Sequence, residues 1–181
     1  MILPIYTYGQ PVLRKPTEDI TPEYPELKSL IDNMFQTMDH ADGIGLAAPQ
    51  IGLAIRMFVI DAHVMADDFP EIDTRKRVFI NPQITETSDE TVTYEEGCLS
   101  LPGIHEKVSR PAKITIHYFD ENFEEHTDTY DSFFARIVQH EYDHLEGHVF
   151  SDRIAPLRRQ MITGKLNKIA KGKTRCSYKI K

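Results

Sequence analysis

Hydrophobic positions recur along this chain at two periods, and the places where one gives way to the other outline its elements. Over residues 22–40, PEYPELKSLIDNMFQTMDH, the apolar side chains Leu27, Leu30, Ile31, Met34, Phe35 and Met38 fall at helical spacing, with Thr21-Pro22 as the start. The small, glycine-rich stretch ADGIGLAAPQIG predicts a loop. RMFVIDA (56–62) is a β-type run, and residues 63–77, charged and containing Pro70, read as an exposed excursion. RVFINPQIT (77–85) is a second strand, stopped by Asn81-Pro82. ETVTYEEG (90–97) and KITIHYFD (113–120) alternate with period two, and Ile114, Ile116 and Tyr118 of the latter share one face. Asn122 turns that run into EEHTDTY, another strand, and such short turns favour antiparallel pairing. A helix follows from about Ser132 to Glu146, capped by Asp131 or Ser132 and ended at Gly147. Ile137, His140, Glu141, His144 and Leu145 lie along one stripe of it, with Phe133 and Phe134 a turn earlier. A last helix spans 156–171 from Pro156, with Leu157, Met161, Leu166 and Ile169 imperfectly periodic. The fold class is α+β.

Composition narrows the setting. A chain of 181 residues with 40% hydrophobic content buries a core as one domain. No apolar run approaches the roughly 18 residues of a membrane span. The opening MILPIYTYGQPVLRKP lacks the parts of a secretory signal, so an untargeted soluble protein with no membrane partner is expected. Two cysteines, Cys98 and Cys176, are too few for a disulfide framework and point to a reducing compartment. Charge is uneven: residues 151–181 carry ten Lys/Arg against the single acid Asp152, a net +9, so the first 150 residues hold −16 of the total −7. A basic segment on an acidic body suits contact with nucleic acid or the ribosome, and equally suits plain solvation.

The chemistry concentrates in QHEYDHLEG (Gln139–Gly147). Histidines at i and i+4 stand one turn apart on a helix, so His140 and His144 direct their rings at one point. Glu141 lies about 100° around, near enough to reach a water on a shared ion. This is the HExxH arrangement of hydrolytic metal enzymes. Two solvated histidines on a surface helix are the plain alternative, but these sit on an apolar stripe, where unpaired imidazoles are costly. A catalytic site needs a third protein ligand. Phe150 stands where a third histidine of the HExxHxxGxxH pattern would be, and no glutamate follows Glu146. The ligand therefore comes from upstream, and Cys98 in EGCLS, at a strand end beside Gly97, is the best candidate; alone it would read as a small buried hydrophobe.

Three separated motifs, GIGLAAPQ (Gly43–Gln50), EGCLS (Glu96–Ser100) and QHEYDHLEG, together resemble the peptide deformylase family over about residues 1–155. The resemblance implies one catalytic domain over 1–155, with 156–181 a basic helix and tail of the same domain, and antiparallel sheets packed around a central HExxH helix between N-terminal and C-terminal helices. It implies removal of the formyl group from the initiator methionine of new proteins. It assigns Cys98, His140 and His144 to the metal, Glu141 to proton transfer as general base and then acid, and the Gln50 amide with the Leu99 backbone N–H to the formyl oxygen. The peptide would lie extended beside Ile44, Gly45 and Gly97, where side chains at Gly43, Gly45 and Gly97 would obstruct it. Ile44, Tyr94 and Ile137 would receive the methionine side chain. His105 replaces the arginine that many members carry seven positions after the metal cysteine, which alters the pocket rim.

One thiolate and two imidazoles suit zinc, ferrous iron, cobalt or nickel; the resemblance implies Fe²⁺ in the cell, with Zn²⁺, Ni²⁺ or Co²⁺ as substitutes. It implies nascent N-formylmethionyl peptides as substrates and a ribosome contact through the basic tail; the lack of an N-terminal transit extension favours a bacterial cytoplasm over an organelle. The rival readings are a general HExxH metallopeptidase and a non-catalytic metal- or ribosome-binding module. Cys176 receives no role.

Overall fold

A computed structural model describes residues 1–181. In chain order its principal elements are α1 (Leu27–His40), β1 (Gly45–Ala47), β2 (Met57–Ile60), β3 (Arg77–Thr87), β4 (Thr91–Cys98), β5 (Leu101–Pro111), β6 (Ile114–Phe119), β7 (Glu125–Tyr130), α2 (Ser132–Leu145) and α3 (Pro156–Ala170). Five strands form one antiparallel sheet in the order β1-β2-β3-β6-β7, and β4 pairs with β5 in a separate hairpin.

The large sheet buries both faces over β1, β2 and the start of β3. On one, Met34, Phe35 and Met38 of α1 meet Leu46, Met57, Val59 and Ile80. On the other, Phe134, Ile137 and Val138 of α2 pack on Phe58, Ile60, Phe79, Ile116 and Tyr118. Each large apolar side chain so buried contributes about 1.5–3 kcal/mol. A third cluster joins Leu101, Ile104 and Val108 of β5 to Ile162, Leu166 and Ile169 of α3. The α2 helix thus lies between the sheet and the β4–β5 hairpin, the α+β arrangement expected.

Several local expectations are corrected. The first helix begins at Leu27, not near Pro22: Tyr24 N–H closes a turn on Thr21 O, and Glu26 takes a left-handed φ of 55°. The segment expected as a loop contains β1 and a 3-10 turn, Ala48–Ile51. Asn81-Pro82 does not stop β3; Asn81 adopts φ 50°, the register shifts between Ile80 and Gln83, and the strand runs on. The 101–111 stretch, unassigned in the sequence, is β5. Neither Asp131 nor Ser132 caps α2 through its side chain. Gly147 does end it, at φ 76°, with His148 N–H on Asp143 O at 2.8 Å as in a Schellman motif. In α3 the buried residues are Ile162, Leu166 and Ile169, whereas Leu157 and Met161 are exposed.

Candidate metal centre and substrate cleft

Cys98 ends β4 and faces α2 across a cleft. Its Sγ lies 3.4 Å from His144 Nε2, and donor atoms of Cys98, His140 and His144 lie within 4.8 Å of one another. A tetrahedral zinc-like ion with one sulfur and two nitrogen ligands separates S from N by about 3.6 Å, so the spacing fits a single small cation. Glu96 Oε1 accepts from His140 Nδ1 at 2.7 Å, which leaves His140 Nε2 free to face a cation. Glu141, 4% exposed, sets Oε1 4.0 Å from His140 Nε2, and its buried Oε2 has no partner. A buried orphan carboxylate oxygen beside three donors fits a site built to receive a cation and its water.

The charges agree. Burial works against ionising the Cys98 thiol, but His144 and His140 outweigh it and bring its pKa down to about 5. Burial alone would depress His140, yet Cys98 and Glu96 raise it well above the usual value. Burial lifts Glu141 to about 7 against the pull of both histidines. Burial likewise opposes ionisation of Glu96, but hydrogen bonds from His140 and Arg110 hold its carboxyl far below the ordinary range.

Gln50 is 1% exposed. Its Oε1 accepts from Ala47 N–H at 2.9 Å, which points Nε2 toward Ser100 Oγ at 3.1 Å and Cys98 Sγ at 3.5 Å. A cavity of about 390 Å³ opens over these groups, lined among others by Gly43, Ile44, Gly45, Gln50, Gly97, Cys98, Leu99, His105, Phe133, Ile137, His140 and Glu141. His144 sits beneath it, 1% exposed. Tyr94 is not on this lining; it stands behind Phe133, ring centroids 5.3 Å apart, with the Arg136 guanidinium over it. β1 is an edge strand and β4 pairs only with β5, so both present free backbone edges beside the cleft.

The glycines owe their identity to neighbouring side chains as well as to an open edge. A Cβ on Gly45 would stand 2.5 Å from Glu141 Oε1, one on Gly43 2.8 Å from Leu99 Cδ1, and one on Gly97 2.7 Å from the His105 ring. The sequence reading missed the supporting groups. Arg110 binds Glu96 through Nε at 2.7 Å and Asp143 through a second nitrogen at 2.7 Å, and Arg136 donates to Glu96 Oε2 at 2.7 Å. Arg136, a cation on the apolar stripe between Phe133 and Ile137, was the one visible signal. Cys176 and Tyr178, near the end of the chain, also line the cavity.

Known proteins resemble this chain in sequence and in fold. The sequence profile described as polypeptide deformylase matches residues 2–160. The chain is 50% identical over 189 residues to a peptide deformylase of Christiangramia forsetii, covering 100% of this chain and 96% of that protein. It is 47% identical to one of Flavobacterium johnsoniae, covering 100% and 96%. Among solved structures, a peptide deformylase of Plasmodium falciparum superposes with TM-score 0.84 at 36% identity, covering 93% of this chain and 95% of that one. One from Thermotoga maritima gives 0.78 at 38%, covering 86% and 99%.

Proposed function

The chain belongs to the polypeptide deformylase family, and from that premise we propose which of its residues carry the reaction. The family's metal-dependent amide hydrolases remove the formyl group from the N-terminal formyl-methionine of new proteins, and this enzyme does the same. That membership disfavours the general metallopeptidase and the non-catalytic module.

Cys98, His140 and His144 hold the cation. The observation that carries this is the convergence of their donor atoms beside the unpartnered Oε2 of Glu141. A divalent ion held there supplies a Lewis acid for the formyl oxygen and makes a water easier to deprotonate. Glu141 takes the proton from the attacking water and returns it to the departing amine, so that one carboxyl serves as base and then acid. Gln50 Nε2 and the Leu99 N–H donate to the oxygen as charge gathers on it; losing one such donor costs about 10²–10³ in rate. Fe²⁺ is the ion in the cell, with Zn²⁺, Ni²⁺ or Co²⁺ as substitutes, in keeping with a mixed thiolate and imidazole donor set.

An N-formylmethionyl peptide lies extended between the free edge of β1 at Ile44 and Gly45 and that of β4 at Gly97, as an added strand. Its methionine side chain enters beside Ile44, Phe133 and Ile137, all on the cavity wall, while His105 meets the following residues at the rim. The catalytic unit is residues 1–155, and 156–181 belongs to the same domain through the apolar contacts of α3 with β5. The outward face of α3, with Leu157 70% and Met161 66% exposed among basic residues, is the surface for the ribosome. No helix is long and apolar enough to cross a membrane, and a bacterial cytoplasm is the setting that suits nascent-chain substrates.

Glu141→Gln tests the assignment. It should retain a full complement of bound metal while formate release falls by at least about 10³-fold, a proton-transfer loss joined to loss of charge. Turnover that survives the change would show that another group moves the proton.

A further inference from the structure

Residues 171–181 leave α3 and return across the molecule to the cleft. Ile5 N–H donates to Lys179 O at 2.9 Å, Lys181 N–H to Ile5 O at 2.8 Å, and Thr7 N–H to Lys181 O at 3.1 Å, so the segment lies beside residues 5–7. Ile5 and Ile180 pair as a parallel bridge. This docking sets Tyr178, half-buried against the α1 side of the core, into the cavity wall. Its hydroxyl donates to Leu99 O at 2.7 Å. Leu99 directly follows the cysteine that ends β4 and carries the N–H assigned to the formyl oxygen.

The same segment reaches Gln50. Residue 6, inside the stretch held by the returning chain, donates its N–H to Gln50 O at 2.7 Å and accepts from Ser100 Oγ at 2.7 Å. Ser100 Oγ in turn accepts from Gln50 Nε2 at 3.1 Å. Both proposed donors to the formyl oxygen are therefore tied to one strap, Leu99 through Tyr178 and Gln50 through Tyr6 and Ser100.

We propose that Tyr178 is a positioning residue for the deformylation reaction, its hydroxyl fixing the Leu99 backbone so that the Leu99 N–H meets the developing negative charge. Leu99 lies between the metal cysteine and the fully buried Ser100, and its carbonyl would otherwise be free to rotate with the turn joining β4 to β5. Holding that carbonyl from outside the hairpin restrains the Leu99–Ser100 peptide plane and, across the Leu99 Cα, narrows the range open to the Leu99 N–H. A donor aimed before the reaction starts incurs no reorganisation as charge develops, which is where such donors gain their effect. The inference rests on reading the Leu99 N–H as an oxyanion donor.

The test compares metal-loaded wild type, Y178F, a variant carrying the α-hydroxy acid of leucine at position 99 so that an ester oxygen replaces the N–H, and the combination, on formyl-Met-Ala-Ser. Y178F should keep its melting temperature and metal content, lower kcat by about 3- to 10-fold as a partial loss of one donor, and leave KM within twofold. The ester should lower kcat further, and Y178F should add less than twofold to it. If the ester lowers kcat and Y178F matches wild type, the role of Tyr178 is overturned and that of Leu99 stands. If the ester itself matches wild type, the oxyanion role of Leu99 falls and this inference with it. If Y178F costs as much with the ester as without it, Tyr178 acts elsewhere and the positioning role is overturned.

Discussion

His140 gives its Nδ1 proton to Glu96 Oε1 at 2.7 Å, so the ring that points Nε2 at the metal donors is fixed from behind by a buried carboxylate. That carboxylate is itself held by two guanidiniums, Arg110 and Arg136, each 2.7 Å from Oε2. The β4–β5 hairpin thus supplies one proposed ligand, Cys98, and the brace for a second, His140.

Glu96→Gln should therefore weaken metal binding by about 10–100-fold, as loss of a histidine's outer partner does. It should also destabilise the fold by about 3 kcal/mol, because Arg136 is left buried with a neutral partner while Arg110 keeps only Asp143. Chelator competition and denaturant unfolding measure the two effects. Unchanged metal affinity would mean that Glu96 does not orient His140.

Gly45→Ala should act on the reaction more than on the cation. The new methyl would lie 2.5 Å from Glu141 Oε1 and 2.8 Å from its carboxyl carbon, so the carboxylate must move. A displacement on the order of 1 Å in a proton-transfer group costs about 10²-fold in kcat. Metal analysis should show a full site. A kcat within twofold of wild type would mean that Glu141 tolerates another position.

Acid stability should depend on Asp73, which ties the 63–76 excursion to the sheet. Its carboxylate accepts from Arg75 Nε at 3.0 Å and Arg77 at 2.6 Å. The hydrogen bond from Arg75 leads in lowering its pKa from 3.8 to about 2. A depressed folded pKa stabilises above the unfolded value, and that gain is lost as pH falls from about 4 toward 2. With solvent screening the gain is about 1 kcal/mol at pH 7. Asp73→Asn should be less stable than wild type by that amount at pH 7, with the gap about halved at pH 3. Urea titrations giving an equal gap at both values would contradict the assignment.

How much of this the sequence revealed depended on whether each feature was local. The α2 helix was legible because its apolar stripe and its ligands share one continuous run. β5 was not, because two of its inward positions, Glu106 and Arg110, are charged and satisfied only by distant partners, Arg158 for one and Glu96 with Asp143 for the other. Asn81-Pro82 read as a stop because a bulge that carries a strand onward looks locally like a turn. In the cleft, Cys98 and the two histidines followed from ligand chemistry. Glu96 stood within a recognised motif but gained its role only when the hairpin met α2. Tyr178 had no local signal, since its partner lies 79 positions earlier in the chain.

The most direct test of the central claim is formate release from a formyl-Met peptide by protein purified without oxygen, before and after a chelator and again after Fe²⁺ is restored. A metal-dependent deformylase should show rapid release from the formylated peptide, loss of release with the chelator, recovery with Fe²⁺, and no cleavage of the unformylated peptide. Release that persists in fully demetallated protein, or cleavage of internal peptide bonds in place of the formyl amide, would contradict that claim.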